Sequence, residues 1–440
     1  MRHGSLRDEA VELLRELIRI DTVNPPGNET AVAGHLRDYL EENGVTTELY
    51  GRSPERANLV ARIPGRAGGP RLLLLSHTDT VLADPAEWSV DPWSGEVRDG
   101  HVWGRGALDM KGQVAASAVA IASLAREGFE PAGDLIFAAT ADEEFGEGEQ
   151  FGLPWLCAEH PEAIRCEYAI NEGAGDRVEV GGRVLYLCST AEKMSSPFWL
   201  RVHGRSGHGS MPSIADNALV KAARLIERLD AFAPEPRLGP ETEAFLSEVV
   251  GSVPSARDAL TAARAVDPVA AELLEPLLAM TVAPTMIEAS HKRNVIPALC
   301  EVTVDCRLLP GQDQDQADGV LRAWLGEGDY ELKWREGQGG TRSPIRTPLW
   351  DAVAGFVAET EAGARAVPIC VAGFTDSHWL RQAFGTVAYG FFPIKAMSAD
   401  LAARLIHSND ERIAVDDLEL GVRFLRHAAT AIGLSETDSP

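Results

Sequence analysis

The N-terminal segment carries apolar residues at helical spacing. Ala10, Leu13, Leu14, Leu17 and Ile18 share one face of a stretch that opens at Ser5, with Asp8 three residues on as a capping partner. A second helix is predicted over 31–42, with Val32, Leu36, Tyr39 and Leu40 inward and Asn43-Gly44 as its stop. The period then changes. Residues 58–63 and 71–76 read as strands. The run LLLL in the second is continuous rather than alternating, as expected of a strand covered on both faces. A helix over 111–126 and strands over 135–141 and 168–171 continue the alternation. The expected class is α/β, a sheet with helices on both sides.

The texture shifts near residue 192. Residues 197–203 alternate as a half-buried strand, and 215–229 form a helix with Leu219, Ala223, Ile226 and Leu229 on one side. Residues 233–280 are rich in Pro, Ala and Glu and read as mostly helical. Strands over 285–288 and 302–308, a helix over 315–325 and a strand over 330–334 complete a β-α-β-β-α-β order, that of a small two-layer domain. The Gly-rich segment EGQGGTRSP (336–344) reads as a hinge. Helix, strand and a closing amphipathic helix over 415–432 then resume the α/β style. The expected organisation is a discontinuous domain, 1–191 and 341–440, with an α+β domain inserted at 192–340.

Composition narrows the function classes. The chain has 440 residues, 45% hydrophobic and 24% charged, the mixture of a globular protein too long for one core. Its formal net charge of −25 repels nucleic acid and anionic membranes, so neither is an expected partner. No signal-peptide pattern and no long apolar run is present, and a cytoplasmic location is expected. Six cysteines without a CxxC pair read as buried thiols.

Candidate chemistry lies in imidazoles and carboxylates spread over 330 residues. His77 and Asp79, in SHTDTV, follow a buried strand, at the end where α/β proteins build sites. Their spacing of two puts both on one side of an extended chain, so His77 can bind a metal while Asp79 supports it. Asp109, in GRGALDMKG, precedes a helix. A carboxylate there can bridge two ions about 3.5–4 Å apart, although Asp at a helix start is more often an N-cap. Glu143 and Glu144 end the strand LIFAATAD and point different ways, one suited to a metal and one to substrate. The plain alternative is a solvated acidic loop, since Asp142, Glu147 and Glu149 lie nearby. Glu172 ends another strand, and His407 is followed by Glu411 four residues on, a candidate partner for it. Nitrogen and oxygen donors of this kind suit Zn²⁺ and related ions. Glu143 is then the candidate for taking a proton from the attacking water. His208, on the Gly-rich loop GRSGHGSMP, reads as a surface histidine from spacing alone, with oxyanion stabilisation as its functional alternative. The remaining histidines read as structural or surface groups.

Together, SHTDTV, DPWSGEVRDGHVWGRGALDMKG, ADEEFG, INEG, GHGSMP, NVIP, DCRLLPG and HSNDER resemble the M20 family of metallopeptidases and amidohydrolases, and the resemblance spans the chain. It implies a zinc-binding α/β domain with an inserted lid or dimerisation domain. Asp109 would bridge two divalent ions, zinc with Co²⁺ or Mn²⁺ as alternatives. His77 and Glu172 would complete one site, Glu144 and His407 the other. Glu143 would be the general base, Asp79 would orient His77, and a cis peptide would follow Asp109. His208 would help bind the carbonyl oxygen, Asn294 and Arg307 would hold a substrate carboxylate, and Gly373 would line the pocket. A homodimer through the lid is implied. The sequence departs from the family pattern at Met194, where many relatives have Gly, and in 233–280, which lengthens the lid. Glu at 172 points towards aminoacylase-like and desuccinylase-like members. The expected function is hydrolysis of an amide in an N-acyl amino acid or small peptide bearing a carboxylate. The alternatives are carboxypeptidase or dipeptidase action and, from another class, a non-catalytic metal-dependent binding protein. The last is disfavoured because Glu143 and all five ligand-type residues are present.

Overall fold

The computed structural model of the protein describes residues 5–66, 68–145, 150–335 and 339–434. The chain divides into two compact units, one comprising Met1–Thr190, Ser343–Pro368 and Thr375–Pro440, the other Ala191–Arg342 and Ile369–Phe374. Residues 369–374, which include Gly373, therefore cluster with the second unit and not with the flanking segments of the first. The reason is local: the strand Arg365–Val371 runs on until the Val371 carbonyl accepts the Lys193 N–H at 2.9 Å.

In the first unit the helix Leu6–Ile18 begins where expected, with the Ser5 side chain accepting from the Asp8 N–H, and buries Ala10, Leu13, Leu14, Leu17 and Ile18. The sheet is large and mixed. Its centre is four parallel strands in the order Leu135–Thr140, Leu72–His77, Tyr168–Asn171 and Val387–Gly390. On one side Ala57–Ile63 and then Thr46–Gly51 add antiparallel strands, the second of which the sequence reading lacked. The apolar run of Leu72–His77 is resolved by its alternation in space. Leu72 and Leu74 join the core under the helices Leu6–Ile18, Lys111–Arg126 and Val415–Gly433. Leu73 and Leu75 join a second core with Leu153, Leu156 and Leu380 on the opposite face. Covered faces leave the strand ends as the places where polar side chains can gather. A three-stranded sheet, Arg412–Ala414 on His101–Trp103 on Glu96–Arg98, ties the HSNDER segment to the segment before Asp109.

The second unit is an antiparallel five-stranded sheet in which Phe198–His203, Thr281–Glu288, Leu299–Leu308 and Tyr330–Trp334 take part. Ala218–Asp230 and Gln314–Leu325 share its core. Leu299–Leu308 alternates buried and half-buried positions, as a sheet covered on one face requires. The helix Ala218–Asp230 buries Ala218, Ala222, Leu225 and Leu229, and leaves Leu219 40% exposed. Its inward face is turned by one residue from the expected one. Two alanines let the helix sit close against the sheet, and the bulkier Leu219 is displaced outward. The 233–280 stretch supplies the helices Pro240–Val250, Ala259–Val266 and Pro268–Leu274. The expected hinge at 336–344 falls partly outside the described residues. All six cysteines are free thiols. Among the described residues no helix is long and apolar enough to cross a membrane.

Candidate metal centre

Three adjacent parallel strands deliver the first donors. His77 ends one strand and pairs in register with Thr140, the last residue of its neighbour. Glu143 and Glu144 follow Thr140, and Glu172 follows Asn171 on the other side. A Cβ at position 390 would lie 2.1 Å from the Glu172 carbonyl oxygen, so glycine at the end of the next strand lets the chain pass Glu172. His407 comes from the turn after the helix Ala399–Leu405 and adopts a positive φ of 60°, uncommon outside glycine. Asp109 stands just before the helix Lys111–Arg126, and its peptide bond to Met110 is cis.

These side chains converge. Asp109 Oδ1 lies 3.2 Å from His77 Nε2, and Asp109 Oδ2 lies 3.0 Å from His407 Nε2. One carboxylate thus turns a separate oxygen to each of two imidazoles. His407 Nε2 is 3.1 Å from Glu144 Oε2, and His77 Nε2 is 3.6 Å from Glu172 Oε1. Two sets of donor atoms are compact enough for an ion: His77, Glu143 and Glu172, and His77, Asp109 and Glu144. The donor chemistry fits a pair of hard-to-borderline divalent cations. A second observation agrees, since the inner oxygen of Glu144, Oε1, is buried with no hydrogen-bond partner.

The electrostatics are those of a site requiring positive charge. Burial drives Glu143 and Glu172 well above the ordinary carboxyl range, and their acidic neighbours, Asp376 among them, push further the same way. Burial raises Glu144 as well, against the hydrogen bond from His407. Hydrogen bonds to Asp109 and Glu144 raise His407 to about 10. Burial alone would lower His77, but Asp109 and Asp79 carry it well above its usual value. Burial would raise Asp109; the two imidazoles outweigh it and hold the carboxyl low.

Asp79 does more than face His77. His77 Nδ1 lies 3.1 Å from the Asp79 backbone carbonyl oxygen and 3.4 Å from its Oδ1, and the two carboxylate oxygens accept the backbone N–H of Glu143 and Glu144 at 3.2 and 3.0 Å. One buried residue therefore fixes a histidine and the turn that presents both glutamates. Beneath it lies a network the sequence reading missed. Asn24 Nδ2 donates to Asp79 Oδ2 at 2.8 Å and to Asp142 Oδ1 at 2.9 Å. Arg56 donates to the same Asp142 oxygen at 2.8 Å and forks onto Glu29 at 2.6 and 2.7 Å. Asp142 is thus a buried structural carboxylate and not part of a solvated loop; Glu147 and Glu149 lie outside the described residues. Replacing Asn24 with leucine removes the amide that bridges the Asp79 and Asp142 carboxylates, while Arg56 and the two backbone N–H groups remain. The expected result is a 10- to 100-fold loss, on the order of that for other groups supporting metal ligands, in ion affinity or kcat, checked by competition with a chelating dye and by steady-state rates.

Glu411 also differs from expectation. Its carboxylate does not reach for His407. Oε1 accepts the N–H of Leu108 and Asp109 at 2.7 and 3.0 Å, and Oε2 accepts the Gly106 N–H at 3.0 Å and Arg105 at 2.7 Å. It is the buried keystone of the loop that carries Asp109. The pull is geometric, because the Arg412–Ala414 strand pairs beside His101–Trp103 and brings residue 411 to that loop.

The other expected residues lie in the second unit. His208 is exposed and pairs with Val295 across a two-residue ladder, its Nδ1 2.7 Å from Ser210 Oγ. The Gly209 N–H donates to the Asn294 carbonyl at 2.8 Å, so His208 and Asn294 are neighbours. Arg307 already forks onto Asp305 at 2.8 and 3.0 Å. A Cβ at position 373 would make ordinary contact with the Val371 side chain at 3.7 Å, and no positive φ there demands glycine.

A mixed sheet carrying nitrogen and oxygen donors at the ends of adjacent parallel strands offers a place for divalent cations. The comparisons agree. The model of peptidase family M20/M25/M40 matches residues 73–431, and the chain belongs to this family. Aminoacylase-1 of Sus scrofa is 30% identical over 418 residues, 92% of this chain and 90% of that one. A succinyl-diaminopimelate desuccinylase of Cereibacter sphaeroides is 30% identical over 428 residues, 93% and 95% of the two chains. Among solved structures, an M20 family metallo-carboxypeptidase of Sulfolobus solfataricus superposes with a TM-score of 0.76 at 18% identity, covering 97% of this chain and all of that one. A dinuclear metal-binding peptidase of the family from Bacillus subtilis gives a TM-score of 0.63 at 14% identity, covering 98% and 99%. The protein is a hydrolase of this family.

Proposed function

We propose that the protein hydrolyses the amide bond of an N-acyl amino acid, with two zinc ions held by His77, Asp109 and Glu172 on one side and Asp109, Glu144 and His407 on the other. The observation that carries the reading is Asp109, which turns one oxygen to each of two imidazoles. When bound, such ions polarise the scissile carbonyl and lower the pKa of water towards neutrality. The chain's own groups do the rest. Glu143 accepts a proton from the attacking water at a carboxylate oxygen and returns it to the leaving nitrogen. Asp79 holds His77 by Nδ1 and the Glu143–Glu144 turn by two backbone N–H groups, which keeps acid, base and donors in register. The roles of His208 at the carbonyl oxygen, of Asn294 and Arg307 at a substrate carboxylate and of Gly373 beside it rest on family membership. Arg307 would exchange Asp305 for the substrate.

The N-acyl preference is supported by the full-length relatives, named as an aminoacylase and a desuccinylase. The test is a panel of N-acetyl and N-succinyl amino acids against dipeptides, on zinc-loaded protein with a chelator control. Turnover of the acyl compounds that disappears on chelation and returns with zinc is expected. Turnover of dipeptides alone would move the reading to peptidase action, and bound ions without turnover of any amide would make the chain a binding protein.

A homodimer formed through the second unit is part of the proposal. The edge strand Thr281–Glu288 presents Met286 and Ile287, 59% and 49% exposed. Light scattering at twice the chain mass is the expected result.

A further inference from the structure

His407 is the least enclosed of the five proposed ion donors. Its side chain is 51% exposed, against 21% or less for His77, Asp109, Glu144 and Glu172. His77 ends a strand buried along its whole length, whereas His407 stands in an irregular turn. Both His407 and Asp410 in that turn take a positive φ of 60°, a conformation that a side chain adopts at a cost. Such a turn keeps its shape only where contacts from outside over-determine it.

Those contacts come from a segment 321 positions away in sequence. Asp410 Oδ1 accepts the Ser89 N–H and Oδ2 accepts the Ser89 hydroxyl, both at 2.7 Å. Two bonds to one carboxylate fix its direction as well as its distance. Beside it the Asn409 amide donates to Glu87 Oε2 at 3.1 Å. The Asp410 carbonyl accepts from Arg412 Nη1 at 2.7 Å, and the Arg412 guanidinium carbon lies 4.3 Å from the Trp103 ring centroid. Ser89 is itself anchored. It follows Trp88, which is buried under the guanidinium of Arg105, and Arg105 donates to Glu411. We propose that Asp410 is a positioning residue for the ion held by His407, acting through its carboxylate on Ser89. The proposal rests on the assignment of His407 as a ligand made above, and gives Asp410 no contact with substrate. Loss of the clamp weakens one ion-binding step and spares the other, because strands of the sheet carry His77 and Glu172.

Titration of the full metal-free chain with Co²⁺, followed by visible absorption, tests this. Two binding steps are expected, and His407→Ala should lose one of them. Asp410→Ala should weaken that same step by about 10-fold or more, the range for groups that support metal ligands, and leave the other unchanged. Glycine accepts a φ of 60° freely but has no carboxylate, so Asp410→Gly should bind as weakly as the alanine variant. Asparagine keeps one acceptor oxygen and tolerates the left-handed region, so Asp410→Asn should recover part of the loss. Ser89→Ala removes one of the two donors. It should weaken the step by about 3-fold, and add little on top of Asp410→Ala. If Asp410→Ala fails to fold by circular dichroism, Ser89→Ala, at an exposed position, decides. Recovery by glycine would make the backbone conformation responsible and overturn the proposal. So would an unchanged step in the folded variants, or equal weakening of both steps. Two undiminished steps in His407→Ala would remove the ligand assignment itself, and the clamp with it.

Discussion

Replacing Glu143 with glutamine is expected to lower kcat by about 10³-fold or more, the upper range for loss of a general acid–base group, while the ion content stays at two per chain. The prediction depends on the separation of tasks between neighbouring glutamates. Glu144 is the one in contact with His407, at 3.1 Å, and the one whose inner oxygen is buried without a partner. Glu143 is held by its backbone, through the N–H that Asp79 accepts at 3.2 Å, and that bond survives the substitution. An amide at position 143 keeps the shape of the side chain and loses the ability to take a proton. It also removes one charge from a crowded set of carboxylates, since Glu172, Asp376 and Glu144 all disfavour ionised Glu143. Thermal stability should therefore hold or rise as activity falls. Metal analysis alongside steady-state kinetics checks both halves. A variant with more than a tenth of normal activity would remove Glu143 from proton transfer, and a variant with one ion would make it a ligand instead.

The donors at strand ends were legible because their strands were. LLLL and LIFAAT are continuous apolar runs too short for a buried helix, as a strand covered on both faces requires, so the polar residue that ends the run is conspicuous. His77, Glu144 and Glu172 all follow such a run. Asp109 and His407 have no comparable signal. They sit in loops, and a family resemblance, not periodicity, brought them to the centre. The supporting residues were illegible for a related reason. Asn24, Arg56 and Asp142 are polar residues in polar segments, and nothing local distinguishes a solvated side chain from one that tertiary packing buries. Asn24 reached Asp79 only through contacts 55 residues apart in sequence. Glu411 shows the opposite error: a spacing of four suggested a partnership with His407, but the chain turns between them and a strand follows at Arg412–Ala414. The inward face of Ala218–Asp230 was misjudged by one residue, because small residues can face a sheet as readily as large ones. Periodicity gives the existence of an amphipathic face more securely than its phase.

Replacing Glu411 with alanine is expected to destabilise the fold by roughly 3–5 kcal/mol, the cost of breaking a buried ion pair from one side, and to take the ion content below two. Arg105 is 2% exposed and Glu411 is fully buried, so the guanidinium left behind keeps its charge with no counter-ion and no water. Its stacking on Trp88, with 5.4 Å from the guanidinium carbon to the ring centroid, and its bond to the Leu82 carbonyl do not replace a carboxylate. The same change frees the N–H groups of Gly106, Leu108 and Asp109, which Glu411 alone gathers into one turn. Asp109 must turn one oxygen to His77 and the other to His407, and a loop released at its own N–H cannot hold both at once. Glutamine separates these effects. Its single oxygen can keep either the Leu108 and Asp109 pair or the Gly106 and Arg105 pair, so a smaller loss of stability is expected with ion affinity still reduced. Thermal unfolding with and without zinc distinguishes the outcomes. If alanine at 411 lowered the melting temperature yet left two ions bound at unchanged affinity, the loop would be stable by itself, and Asp109 would owe its position to its two histidines rather than to the carboxylate behind it.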